Sequence, residues 1–338
     1  MISGKARIAA TAYYLPEETI TNDDLAALYP EWSVEKIANK TGIHTRHIAN
    51  SQEYSSHLAV AAASRLFELH SVAPQTIDYL ILCTQSPDFY LPVTAALVHQ
   101  QLGLRIDSGA TDINLGCSGY IYAIGLAKGL IESGQAARVL VITADTYSKF
   151  LNPADKSVRT IFGDGAAATL VDAQDNRERI YGVTYGSDGS GAANLIVPNG
   201  GIRQGSEISS RVSANDRGLE TNGYDLFMDG PEIFNFTLRV VPETIDQVLA
   251  KANKSLSDID LFVFHQANSF MLEHLRKRLG LEKEKFFVSM QETGNTVSST
   301  IPIALTQAIE SGGLSHGMRV MLGAFGVGDS WGGLIVEW

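Results

Sequence analysis

The chain has 338 residues, 45% of them hydrophobic and 19% charged, the composition of a globular protein with a large core. Its net charge of −11 and pI near 5.2 oppose binding to nucleic acid phosphates. No run approaches the roughly 18 apolar residues of a membrane helix, and the start, MISGKARIAATAYYLP, lacks the apolar core of a signal peptide.

Two cysteines, Cys83 and Cys117, make neither a disulfide framework nor a zinc site. These features predict a reduced, soluble, cytoplasmic protein without a bound metal.

In chain order, Tyr79–Cys83 reads as a short buried strand, followed by a helical pattern ending at His99–Leu102. The apolar run Ala110–Ile113 leads to a turn at Gly116 and a long helix over Tyr120–Ser133. A strand follows at Val139–Ile142. Residues 190–225, rich in Gly, Asn, Ser and charge, read as an irregular surface excursion. Alternation of strand and helix predicts an α/β protein with a mostly parallel sheet covered on both faces.

The order then repeats. Ile77–Cys83 (IDYLILC) matches Ile259–His265 (IDLFVFH), and Leu130–Gly134 (LIESG) matches Ala308–Gly312 (AIESG). The runs at Arg138–Ile142 and Arg319–Leu322 correspond, and Phe162-Gly163-Asp164-Gly165 is echoed by Phe325-Gly326-Val327-Gly328. The chain reads as two similar halves, 1–175 and 176–338, joined in one compact unit.

The duplication locates candidate chemistry. Cys117 lies 14 positions before Ile131, and Asn295 lies 14 before Ile309; each follows a glycine and opens a helical pattern. A pseudo-twofold arrangement brings the thiol and the amide together. His265 ends a strand, where α/β sheets gather functional residues. A helix N-terminus with a nearby imidazole predicts a thiol pKa lowered to roughly 3.5–7.5. Taken singly, Cys83 reads as an inert core thiol and Asn295 as a helix N-cap, while a satisfied core histidine is the lesser alternative for His265. Together, Cys117, His265 and Asn295 supply a nucleophile and two hydrogen-bond donors for a thioester oxygen becoming an enolate.

The ordered motifs Lys40–Ile48 (KTGIHTRHI), Gly116–Gly119 (GCSG), Ile161–Ala166 (IFGDGA), His265–Asn268 (HQAN), Gly294–Thr296 (GNT) and Ala324–Gly332 (AFGVGDSWG) span nearly the whole chain. With them the chain resembles the beta-ketoacyl-acyl-carrier-protein synthase III family of thiolase-superfamily condensing enzymes. The resemblance implies a thiolase-like five-layered αβαβα fold, a homodimer, and no metal or redox cofactor. Cys117 would carry the acyl group and His265 and Asn295 would hold a malonyl thioester, giving a 3-ketoacyl product. The backbone amides of Cys117 and Val327 would form the oxyanion hole.

It further implies substrate-binding roles at Lys36, Lys40, Lys156, Asn268, Phe270 and Leu91, and carrier-protein docking at Arg276, Lys277 and Arg278. Lys36 stands where the family often has a tryptophan. Lys40, Lys156 and Phe270 stand where it often has arginines, a departure that weakens stacking and bidentate phosphate contacts. Acyl carrier protein is therefore the expected partner, with a coenzyme A thioester the other donor. Gln85 occupies the place of the glutamate acid/base of hydroxymethylglutaryl-coenzyme A synthase and disfavours that activity. Acyl transfer to a hydroxyl or amine, without decarboxylation, is the remaining alternative on this fold.

Overall fold

In the computed structural model, residues 4–203 and 223–338 are described; of the expected surface excursion, 204–222 lie outside them. Two sheets carry the fold. The first has strand order β1 (Ala6–Tyr14), β7 (Gly165–Ala173), β6 (Arg138–Asp145), β4 (Tyr79–Cys83), β5 (Gly109–Ile113). The second runs β8 (Ile180–Ser187), β13 (Ser330–Glu337), β12 (Arg319–Gly326), β11 (Leu261–Phe264). Taken strand for strand, β1-β7-β6-β4 and β8-β13-β12-β11 follow one plan, so the duplication is a duplication of topology.

The sheets are mixed rather than mostly parallel. β4 is parallel to β5 and β6, and β11 to β12, but β7 and β13 run antiparallel to both of their neighbours. The reason is local: only Val327–Asp329 separate β12 from β13, too short for the crossover that parallel pairing requires. Register also corrects one internal repeat. Asp145 pairs with Gly165, and Gly326 with Ser330. The counterpart of Phe162–Gly165 is thus Val327–Ser330, two residues later than the sequence echo suggests, and Asp164 corresponds to Asp329.

Strand alternation builds the five layers, because successive side chains point to opposite faces. Leu80 and Leu82 pack outward with Ala62 and Leu66 of α3 (Ser55–His70) and with α4 (Thr94–Gln101). Ile81 between them points inward, to Ile121 and Ile124 of α5 (Gly119–Glu132). In the second sheet, Leu261 and Val263 point inward to Ile301 and Leu305 of α9 (Thr300–Glu310). Phe262 and Phe264 point outward to Phe236 of α7 (Gly230–Ala252) and Leu272 of α8 (Ser269–Arg278). The helices α5 and α9 are therefore the middle layer of an αβαβα fold. Each fully buried Leu, Ile or Phe contributes about 1.5–3 kcal/mol, so a one-residue slip in either β4 or β11 would reverse every inward and outward contact.

Shorter elements complete the fold. They are β2 (Thr19–Thr21), α1 (Asn22–Leu28), α2 (Val34–Thr41), β3 (Thr45–His47), α6 (Lys156–Arg159) and the pair β9 (Leu195–Ile196) with β10 (Phe227–Met228). No helix among the described residues is long and apolar enough to cross a membrane.

Candidate active site

Cys117 sits two residues before α5 and is 4% exposed. It is held by glycines where a side chain would not fit. A Cβ on Gly326 would lie 2.5 Å from the Cys117 Cβ and 2.8 Å from its sulfur. Gly116 packs directly on the Gln85 amide, and Gly119 on the Cys83 sulfur. The thiol is not lowered as the sequence predicts: burial pushes it up to about 12. The Val327 N–H, donating to the sulfur, pulls the other way, as does the N–H of Cys117 itself. His265 brings no positive charge to offset burial, because burial pushes its imidazole down to about 3 and keeps it neutral.

His265 follows β11, its backbone N–H bonded to the Gly323 carbonyl at 2.8 Å, its ring edge-on to Phe325. Its Nδ1 lies 2.7 Å from the Thr300 hydroxyl, which is 3.2 Å from the Val297 carbonyl. The single hydroxyl proton serves either the Val297 carbonyl or Nδ1; on the shorter contact, Nδ1 accepts and Nε2 carries the ring proton. That tautomer, assigned from the hydrogen-bond pattern, makes His265 a donor toward the cavity.

Asn295 is also buried, at 4% exposure. It does not cap α9: a 3-10 turn at Val297–Ser299 intervenes, and Ser299 is the residue preceding the helix. Its Oδ1 instead accepts from the Val297 N–H at 2.9 Å, leaving the amide nitrogen, 3.5 Å from the Ala267 carbonyl, as the donor end. Val297 takes φ +56°, a strained value for a β-branched residue. The first half clamps this loop. The Asn295 N–H donates to the Ile161 carbonyl at 3.0 Å, and the Gly163 N–H donates to the Asn295 carbonyl at 3.1 Å. The Phe-Gly-Asp-Gly motif is thus a strap on Asn295.

Asp145, which drew no attention in the sequence, joins the two halves beneath the thiol. It is fully buried; its Oδ1 accepts from the Gln85 N–H at 2.8 Å, and its Oδ2 accepts from the Ser298 N–H and hydroxyl. Burial raises its carboxyl to about 7 against those three donors.

Cys117, His265 and Asn295 line one cavity of 140 Å³, with Phe325, Gly326 and Asn268. Asn268 and Ile161 also line a second cavity of 400 Å³, with Lys40, Phe270 and Trp32. Here sequence reasoning missed a residue. Trp32 supplies an indole four residues before Lys36, and the ammonium groups of Lys36, Lys40 and Lys156 lie 5.3, 4.7 and 5.7 Å from its ring centre. Lys156 is also ion-paired with Glu31. A lone tryptophan in the polar stretch Pro-Glu-Trp-Ser was the available signal.

Other expected binding residues have duties of their own. Asn268 caps α8, accepting from the Met271 N–H at 2.9 Å. Phe270, half exposed, packs against the His274 ring at a tilt of 48°, the ring centres 4.2 Å apart. Leu91 is 87% exposed on the loop after β4, beside the exposed Phe89 and Tyr90, and lines neither of these cavities. In the basic helix end, Arg276 is taken up locally: it donates to both carboxylate oxygens of Glu273 at 2.8 Å and to the Leu281 carbonyl at 2.6 Å. Lys277 shares Glu273 at 3.3 Å. Among the described residues no group of three His, Cys, Asp or Glu side chains has the geometry to hold a metal ion.

The chain matches known proteins over nearly its full length. Residues 111–189 match the family described as 3-oxoacyl-[acyl-carrier-protein] synthase III, and residues 249–338 match its C-terminal region. A beta-ketoacyl-[acyl-carrier-protein] synthase III of Caldanaerobacter subterraneus subsp. tengcongensis is 36% identical over 98% of this chain and 98% of its own. One from Lactococcus lactis subsp. lactis is 37% identical over 98% and 99%. A crystal structure of a 3-oxoacyl-(acyl-carrier-protein) synthase III superposes with a TM-score of 0.95 at 49% identity, covering 99% of this chain and 100% of that one. On this sequence identity, coverage and shared fold, the chain belongs to the beta-ketoacyl-acyl-carrier-protein synthase III family.

Proposed function

We propose that the protein joins an acyl thioester to a malonyl thioester, carried on acyl carrier protein, with loss of carbon dioxide. The observation that carries this reading is the single cavity lined by Cys117, His265 and Asn295. The Cys117 sulfur attacks the acyl thioester carbonyl, a new C–S bond forms, and the carrier leaves as its thiol. The amides of Cys117 and Val327 hold the oxygen that gains charge. Malonyl thioester then occupies the same cavity; the His265 ring N–H and the Asn295 amide donate to its carbonyl as carbon dioxide departs. The resulting carbanion attacks the acyl-enzyme and breaks the C–S bond, releasing the Cys117 sulfur as a thiolate that takes one proton from water to return to the thiol. Each such donor is worth ~10²–10³ in rate.

The Trp32 ring and its lysines support a binding place for the phosphate-bearing end of the carrier arm, with Lys40 nearest the cavity and Lys36 and Lys156 flanking the ring. Asn268 and Phe270 would line the path inward. Lys277 and Arg278 would face an acidic carrier protein, with Arg276 holding the helix end. The protein would act as a homodimer joined at β5, an edge strand whose far side pairs with no described strand. In that assembly the exposed Phe89–Leu91 loop would reach the partner subunit.

Intact-protein mass spectrometry on each half-reaction tests the reading. An acyl adduct on Cys117, absent from Cys117→Ser and discharged by malonyl thioester as a ketoacyl product, is expected. Asn295→Ala should load normally and lose decarboxylation by about 10²-fold or more. An adduct removed by an alcohol or amine, but inert to malonyl thioester, would replace condensation with simple acyl transfer.

A further inference from the structure

A third cavity, of 320 Å³, adjoins the catalytic one. The two share Leu195, and the third is also lined by Val327, whose N–H meets the Cys117 sulfur. The Trp32 side shares Ile161 and Asn268 with the catalytic cavity instead. A donor entering past Trp32 therefore leaves its acyl group on Cys117 pointing away from that side, into the third cavity. Phe150, Val197 and Leu226 give this cavity apolar walls.

One wall is different. Tyr147, buried at 3% exposure, donates its hydroxyl to the Gln85 Oε1 at 2.7 Å. The same Oε1 lies directly against Gly116, next to the nucleophile, and the Gln85 backbone N–H is bonded to Asp145 at 2.8 Å. The amide is thus fixed by its backbone and by its oxygen. Its Nε2 has no partner among the described residues, although Gln85 is only half-buried and lines the cavity. A saturated hydrocarbon chain lying there would cover two N–H donors without replacing their water. An oxygen on the chain would accept from them. No described residue lining the cavity carries a formal charge, so the chemistry suits a neutral oxygen rather than a carboxylate.

We propose that Gln85, held by Tyr147, selects a short primer acyl group bearing a neutral oxygen, a hydroxyl or oxo group, on the carbons next to the thioester. This rests on the condensing reading above. The oxygen is recognised and not altered; loading remains an exchange of one thioester for another, with the carrier thiol leaving protonated.

The test compares loading of Cys117 from matched thioesters, butyryl against 3-hydroxybutyryl and acetoacetyl, each on coenzyme A and on carrier protein, by intact-protein mass spectrometry over time. The wild type should load an oxygenated primer with a kcat/KM about fivefold to tenfold above butyryl, the value of one well-placed neutral hydrogen bond. Gln85→Leu should collapse that ratio to near one by raising butyryl loading and lowering the other. Tyr147→Phe, which releases the amide oxygen without removing the amide, should reduce the ratio severalfold and keeps the test open if Gln85→Leu misfolds. Equal or faster butyryl loading by the wild type, or a ratio unmoved in both variants, would overturn the inference and leave condensation standing. No adduct from any primer on either carrier would instead take down the condensing reading.

Discussion

Gly326→Ala probes how tightly the thiol is positioned. Gly326 ends β12, and the added Cβ would stand 2.5 Å from the Cys117 Cβ and 2.8 Å from its sulfur. Ordinary carbon contacts lie at about 3.5–4.0 Å, so the groups must separate by about 1 Å. Cys117 has little room to retreat, because Gly116 abuts Gln85 and Val327, and Gly119 abuts Cys83. If β12 yields instead, it carries the Val327 amide off the position where it meets the sulfur. Either displacement is of the size that costs ~10²-fold in rate, and overpacking costs about 1–3 kcal/mol of stability. The assay is the single-turnover rate of acyl adduct formation, alongside urea unfolding and far-ultraviolet circular dichroism. Expected are loading slowed by about two orders of magnitude, a midpoint lowered in proportion to the strain, and an unchanged folded spectrum. A variant that loads at the wild-type rate while fully folded would refute the claim that this contact sets the thiol's position.

Two further substitutions test the imidazole. Thr300→Val removes the hydroxyl 2.7 Å from the His265 Nδ1. It should slow malonyl decarboxylation about tenfold by freeing the ring to take either tautomer, while acyl loading stays near normal; equal losses in both half-reactions would refute a tautomer-fixing role. His265→Gln tests burial through pH. The folded imidazole, at about 3 against an ordinary 6.5, takes up its proton less readily than the unfolded one. The stability it contributes is therefore full above 6.5 and lost as pH falls toward 3. About 0.4 kcal/mol is already lost at pH 6.5, and between pH 6.5 and 4.5 the further loss is about 2.3 kcal/mol. The carboxyls of Asp145 and Asp164, pushed up to about 7 and about 6, work in the opposite direction but are common to both proteins. The gap in unfolding free energy between wild type and His265→Gln should thus shrink by about 2.3 kcal/mol from pH 6.5 to 4.5. A gap independent of pH would mean that His265 is not buried as described.

Periodicity and repeat spacing were legible because they are properties of short windows. The alternation in Tyr79–Cys83 and Leu261–Phe264 marks strands, and equal spacing from Cys117 and Asn295 to their repeats marks equivalent places. Strand direction was not legible, since it depends on the length of the connection rather than on the strand; the short Val327–Asp329 link turns β13 antiparallel. Nor was the thiol's environment, because the side chains that exclude water from Cys117 come from both halves of the chain. Arg276 shows a signal that was present and outvoted: three consecutive basic residues suggested docking, yet Glu273, three positions earlier on the same helix face, claims the first of them.

The paired positions Cys83 and His265 show how much duplication leaves undecided. Each stands at the carboxyl end of the corresponding strand, β4 or β11. Cys83 donates to the Leu115 carbonyl at 3.0 Å, packs on Gly119, and has its thiol raised far by burial, so it is spent on structure. His265 occupies the equivalent place but borders the cavity, with one ring nitrogen held by Thr300 and the other left for a ligand. The difference lies in the residues leading into each middle helix. Gly119 lets α5 begin tightly against Cys83 and seal it. Its counterpart by the Cys117–Asn295 spacing is Val297, whose positive φ and 3-10 turn delay α9 until Thr300. That delay places the Thr300 hydroxyl on the imidazole and directs the Asn295 amide to the cavity. One half thus closes around a thiol, and the other opens a site, from the same strand-and-helix plan.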